Sequence, residues 1–254
     1  MKIDIKVGDV LPSKRNGEFE VLEYLDSSNI RVKSLTTGYE LVSNSSRLSL
    51  GSIKDPYYPL VFGVGFFGEG KYISRGFKDT TKTPQYRAWE NMMARCYYPK
   101  TSRYSAYGGS GVTVCKEWHN YQVFAEWFDL NYIEGQHLDK DILNQGNKEY
   151  SPLNCCFVPQ AINNLLVTSN KERSLPTGIT KTKNGDKYLA RFKSETLGTF
   201  DNLEDALLVY IRNKCSVILK ITDHNFSEGY IDLKVKDALY KYADKLLEEN
   251  NIEY

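Results

Sequence analysis

The stretch from His137 to Leu166, HLDKDILNQGNKEYSPLNCCFVPQAINNLL, constrains the fold of this chain more than any other. Leu138 to Leu143 alternates apolar Leu138 and Ile142 with charged Asp139 and Asp141, the period of two that predicts a half-buried strand. Asn144 to Asn147 carries turn chemistry. Cys155 to Val158 is a compact apolar run suited to a second short strand. Pro159 then precedes Gln160 to Leu166, where Ile162, Leu165 and Leu166 fall on one helical face. Strand, turn, strand and helix can bring two carboxylates on the first strand, Asp139 and Asp141, toward amide side chains on the second strand and the helix. Oxygen donors on rigid elements, with positions left for water and phosphate, suit a hard cation such as Mg²⁺ or Mn²⁺.

The segments before this stretch predict other kinds of structure. Short strands are expected at Val7–Val10, Phe19–Leu22, Ile30–Lys33 and Tyr39–Val42, with turns at Asn16-Gly17, Asp26–Asn29 and Thr37-Gly38. So many strands in so short a span predict a small curled β-barrel over residues 1–70, serving as an adaptor or touching DNA directly. Its charge, eight Lys/Arg against nine Asp/Glu, favours neither role. Residues 55–82 form a connector rich in glycine and aromatics. Phe62 to Gly70 lacks the Lys-Ser/Thr of a nucleotide phosphate loop, and its glycines fit tight turns better. Thr83 to Tyr98 reads as a helix capped by Thr83, with Pro84 in its first turn, Trp89, Met92, Met93 and Cys96 as an apolar stripe, and Arg87 and Arg95 outward. Gly108, Gly109 and Gly111 feed a strand at Val112–Cys115, and Tyr121–Tyr132 is an aromatic amphipathic helix.

The residues Trp89, Arg95-Cys96, Tyr107-Gly108-Gly109, Gly111-Val112, Val114-Cys115 and Trp118, followed by Asp139, Asn154-Cys155 and Asn163, resemble the HNH endonucleases of phage homing type, which carry a ββα-metal (His-Me) finger. The resemblance implies that Asp139 and Asn163 are metal ligands and that Asn154 steadies the finger loop. It also exposes a departure, because the general-base histidine position holds Lys140. A solvated lysine is protonated at neutral pH and is a poor base. Lys140 then serves as a phosphate clamp, or as a base only if burial lowers its pKa strongly. Otherwise His137 or Asp141 takes the base role. Cys96, Cys115, Cys155 and Cys156 form no CxxC knuckle, which argues against structural zinc.

Residues 171–220 carry ten Lys/Arg against six Asp/Glu, and residues 221–254 carry four against eight, so a basic module and an acidic tail hide inside a net charge of +1. Within the basic module, Gly178-Ile179, Leu197-Gly198-Thr199-Phe200, Glu204, Ala206 and Tyr210 resemble the three-stranded, single-helix DNA-binding domain of plant ethylene-response factors, a domain also found fused to phage homing endonucleases. That family lays its sheet in the major groove, so Lys181, Lys183, Lys187, Tyr188, Arg191 and Lys193 are the candidate DNA contacts. Strand alternation lets only about half of them face DNA. A helix is expected over Asn202–Lys220 and another over Asp232–Asn250, with Leu233, Ala238, Leu239, Tyr242, Leu246 and Leu247 as its apolar positions.

The expected whole is a multidomain α+β protein: a β-barrel at 1–70, the finger region at 71–170, the sheet-plus-helix domain at 171–222 and a terminal helix at 223–254. The resemblance implies metal-dependent hydrolysis of double-stranded DNA. The alternative is a catalytically degenerate relative that acts as a phage regulator or as an inhibitor of a host defence system. No apolar run approaches a membrane span, and unpaired cysteines without a leader peptide point to the cytoplasm, that of a host cell for a phage protein. The terminal helix leaves a homodimer or a host protein open as partner.

Overall fold

The computed structural model describes residues 4–76, 81–166 and 174–252; the boundary expected near residue 170 and part of the 55–82 connector lie outside the described residues. The chain begins with strands β1 (Val10–Pro12), β2 (Glu18–Asp26), β3 (Asn29–Ser34) and β4 (Glu40–Ser43), then helices α1 (Ser45–Ser49) and α2 (Pro84–Tyr97). Strand β5 (Thr113–Val114), helix α3 (Tyr121–Asn131) and strands β6 (His137–Asp139), β7 (Glu149–Tyr150) and β8 (Cys156–Val158) follow. The last part holds α4 (Gln160–Asn163), β9 (Ile179–Lys181), β10 (Tyr188–Phe192), β11 (Glu195–Phe200), α5 (Leu203–Ser227) and α6 (Leu233–Glu248). The protein is therefore mixed α+β with several small sheets. It divides into two compact units, residues 1–130 with 148–151, and residues 131–147 with 152–254.

In the first unit β1 to β4 form an antiparallel meander in sequence order. Alternation buries Phe19, Val21, Ile30 and Val32 against Leu48 and Ile53. The strand expected at Val7–Val10 starts later, because Gly8 turns the chain at φ +91° and β1 begins only at Val10. Helix α2 starts where its cap predicts: the Thr83 hydroxyl accepts the Tyr86 N–H, and Pro84 occupies the first turn. Its stripe of Trp89, Met92, Met93 and Cys96 is buried, and the Trp89 indole donates to the Trp118 carbonyl at 2.7 Å. Arg95 departs from the outward placement expected of it: it is half-buried, with its guanidinium 5.4 Å from the centre of the Tyr107 ring. Gly108 lies so close to the Cys96 carbonyl that a Cβ there would collide with it. The strand expected over Val112–Cys115 narrows to β5, which pairs in parallel with β7.

In the second unit β9, β10 and β11 form an antiparallel sheet with β10 in the middle. Helix α5 covers one face of that sheet, and α6 packs along α5. One apolar core contains Ile179, Ala190, Tyr210, Ile218, Leu239 and Leu247, and it continues into Ile142, Val158, Ile162 and Leu165. The β6–β8 hairpin thus shares its core with the three-stranded sheet. Helix α5 is longer than expected, running to Ser227 instead of Lys220; Asn202 caps it by accepting the Asp205 N–H. Of the apolar positions expected on α6, Leu239 and Leu247 are buried, whereas Leu233, in the first turn, is exposed. No helix among the described residues is long and apolar enough to cross a membrane.

Candidate functional site

The antiparallel pair β6–β8 sets His137 opposite Val158 and Asp139 opposite Cys156. Helix α4 starts directly after Pro159 and lies against β6. This is the strand–strand–helix order read from the sequence, with two changes of length. The first strand stops at Asp139 instead of continuing to Leu143, and the helix ends at Asn163, short of Leu166.

The first change has a visible cause. Asp139 Oδ1 accepts the backbone N–H of Asp141 at 2.7 Å and that of Ile142 at 2.9 Å. A side chain that takes backbone donors two and three residues ahead replaces the strand ladder with a turn. The turn drives Ile142 into the core, where it is buried beside Val158 and Ile162. Burial raises the Asp139 carboxyl above the ordinary carboxylate value, and the nearby Asp141 adds to the rise, against the two backbone N–H bonds and Lys140, which pull it down. Among the described residues, Asp139 Oδ2 accepts no hydrogen bond.

Lys140, at the position to which the resemblance would assign a general base, is buried. Its Nζ donates to Asp141 Oδ1 at 2.6 Å and to the Asn147 carbonyl at 2.7 Å. Asn147 returns the contact by donating its Nδ2 to the Lys140 carbonyl at 3.1 Å. Lys140 is thus a tie across the loop between β6 and β7, and neither a phosphate clamp at the surface nor an amine open to take a proton. Asp141 shares that tie. The Asn154 Nδ2 donates to Asn147 Oδ1 at 3.2 Å, so Asn154 steadies the same loop. Asn147 takes part in every one of these contacts except that between Lys140 and Asp141, yet its place in the sequence marks only a turn.

His137 is exposed at the start of β6 and shares the face of Asp139 by strand alternation. Asn163 is half-buried at the end of α4, and its side-chain amide takes no hydrogen bond among the described residues. Cys156, across from Asp139, has its thiol pushed up to about 12 by burial and by Asp139 and Asp232. Among the described residues no cluster of three or more His, Cys, Asp or Glu could hold a metal ion. The donors at hand are one carboxylate, Asp139, and one amide, Asn163.

The register of the three-stranded sheet sorts the six candidate DNA contacts. Lys181 pairs with Tyr188 and Tyr188 with Phe200, in line with the buried Ile179 and Ala190. That row lies on the face covered by α5, and Tyr188 packs against the core. The opposite face presents Thr180, Leu189 and Thr199, with Arg191 beyond a bulge. Arg191 is exposed there. Lys183 is exposed in the turn between β9 and β10, and Lys193 in the turn between β10 and β11. Lys187 pairs with Asp201 at 2.8 Å. The open face is therefore rich in threonine with one arginine, and the lysines sit at its ends.

No family model matches this chain, and neither a curated protein nor a solved structure matches it.

Proposed function

We propose that this chain is a DNA-binding protein of the HNH endonuclease type, a ββα-metal (His-Me) finger protein that hydrolyses phosphodiester bonds of double-stranded DNA with Mg²⁺ or Mn²⁺. The reading includes the closure of the N-terminal meander into a small barrel and the recognition of DNA by the sheet at 179–200. One observation carries it: a two-stranded hairpin followed at once by a helix, with the Asp139 carboxylate on the first strand and the unengaged Asn163 amide on the helix.

Asp139 and Asn163 would hold the cation, and the cation supplies Lewis-acid charge to a scissile phosphate. The rest of the work falls to the chain. Asn154, through Asn147, and Lys140, through Asp141, fix the loop that carries Asp139. Of the two candidate bases, Asp141 has its Oδ1 committed to Lys140, while His137 is exposed and takes no hydrogen bond among the described residues. His137 is the side chain placed to accept a proton from water. Lys183, Lys193 and Arg191 would supply phosphate and base-edge contacts, and phosphate contacts make binding fall steeply with salt.

A second reading is a degenerate relative that binds DNA or a host protein without cutting, as a phage regulator or defence inhibitor. The Lys140 tie favours it, because the residue at the base position is spent on holding the loop. The two readings part on incubation of supercoiled DNA with the protein and Mg²⁺ or Mn²⁺, beside Asp139→Ala and His137→Ala variants and a salt titration of binding. Nicking that both variants lose supports the endonuclease. Salt-sensitive binding with no nicking supports the second reading. Absence of both rejects a DNA function.

A further inference from the structure

The second unit contains a cavity of about 520 Å³ bounded by the Pro176–Thr180 segment, the end of β10, α5 and α6. Its walls are largely apolar, with Leu165, Ile179, Phe192, Leu207, Ile211 and Leu246 among them. Its charged side chains are Lys214 from α5 and Lys193 from the turn after β10, while Arg191 borders it from a strand position whose side chain is on the open face. No carboxylate lines it among the described residues.

Lys214 is the informative member. It is 9% exposed, in the middle of a helix that faces the core. Its Nζ reaches the Tyr242 hydroxyl at 3.0 Å, and among the described residues no carboxylate pairs with it. Lysines are almost never buried unless paired, since taking a charge out of water costs several kcal/mol (roughly) before any partner repays it. A neutral hydroxyl is a weak counterpart for an ammonium. A methionine at this position would fill the same space without that cost. The Tyr242 ring, its centre 5.3 Å from the Lys214 Nζ, adds a cation–π contact but no counter-charge, and a buried cation without a carboxylate in a cleft is the pattern expected where a ligand supplies one.

We propose that this cavity binds a small amphipathic anion: an acidic head group seated on Lys214, with Lys193 also lining the cavity, and an apolar body against the leucine and isoleucine wall. The cavity is of the size that takes small molecules. The site is independent of the Asp139 finger, and it would place a ligand against the strand that carries Arg191.

The test uses the full chain and decanoate, with decanol as its uncharged counterpart, each displacing the fluorescent anion 8-anilinonaphthalene-1-sulfonate. Decanoate is expected to displace the probe at least tenfold more effectively than decanol. Lys214→Met is expected to abolish that preference, and Lys220→Met, exposed on the same helix, to leave it unchanged. Equal displacement by decanoate and decanol on the native chain would overturn the proposal without reference to any variant. So would a DNA duplex that displaces the probe as well as decanoate does, since the cations would then be phosphate contacts. A thermal melt of Lys214→Met accompanies the titration; the variant is expected to be as stable as the native chain or more so.

Discussion

Replacing Asp139 separates the structural work of its carboxylate from its proposed work as a ligand. Asp139→Ala removes both acceptor contacts to the Asp141 and Ile142 N–H groups. Hydrogen bonds to a charged group contribute about 1.5–3 kcal/mol each, so for this half-buried pair the loss is about 3 kcal/mol. For a chain of this size that corresponds to a drop in Tm of roughly 6–12 °C. Asp139→Asn keeps an acceptor oxygen in place and removes only the charge. Burial raises the Asp139 carboxyl in the fold, so the folded state binds its proton more tightly than the unfolded state does. The stability this confers is fully present below the unfolded carboxyl value and is lost as pH rises through the raised folded value. At neutral pH without metal, Asp139→Asn is therefore expected to equal or exceed the native chain in stability, and its advantage to shrink as the solution is acidified. Divalent cation reverses the order: a ligand at a hundred times its Kd stabilises the native chain by about 2.7 kcal/mol and leaves the Asn variant behind. Urea unfolding at neutral and acid pH, with and without Mn²⁺, measures all of this. An Ala variant as stable as the native chain would refute the turn argument. An Asn variant as damaged as Ala would refute the charge argument, and equal Mn²⁺ stabilisation of all three would remove Asp139 from the metal site.

Lys140→Met takes away the contacts to Asp141 and the Asn147 carbonyl; because Asp141 is half exposed, the expected loss is about 2 kcal/mol, read by denaturant unfolding. Asn163→Ala is expected to leave stability within about 0.5 kcal/mol of the native chain, since its side chain holds nothing among the described residues, but to abolish stabilisation by Mn²⁺ in the same melts. Gly108→Ala forces a methyl into the Cys96 carbonyl and is expected to destabilise the first unit by about 3 kcal/mol, visible as a lower Tm followed by tryptophan fluorescence.

The helices were legible because their signals are local. Thr83-Pro84 and Asn202 announce starts that the structure keeps, and the stripe from Trp89 to Cys96 is the buried face of α2. The central strands of each sheet were legible for the same reason, a period of two in a half-buried sheet. Strand ends were not, because single side chains decide them. Gly8 turns the chain by its φ, and Asp139 ends β6 by taking two backbone donors, which alternation alone cannot reveal. The pairing of β5 with β7 joins segments far apart in sequence and too short to show a period. At the site, the order of elements was readable. The fate of Lys140 was not, since its partners are a neighbour's carboxylate and a carbonyl seven residues on. Lys214 carries no mark in the sequence, because its burial comes from the packing of α5.

The residues that define the finger do not weigh equally as evidence of chemistry. Asp139 would be retained by a protein that never met a metal ion, because the turn after β6 needs its oxygen. Asn154 would be retained too, because it holds Asn147. Lys140 anchors a loop, a task that needs no proton transfer. Asn163 is different. Its side chain is half-buried at the end of a one-turn helix and satisfies no other group among the described residues. Its amide is not among the buried polar atoms left without a partner, so water still reaches it and the group stays open to a ligand. Its place on α4, against the strand that carries Asp139, suits a ligand shared by the two. The case for an enzyme therefore rests more on the amide that has no structural task than on the carboxylate that first suggested it.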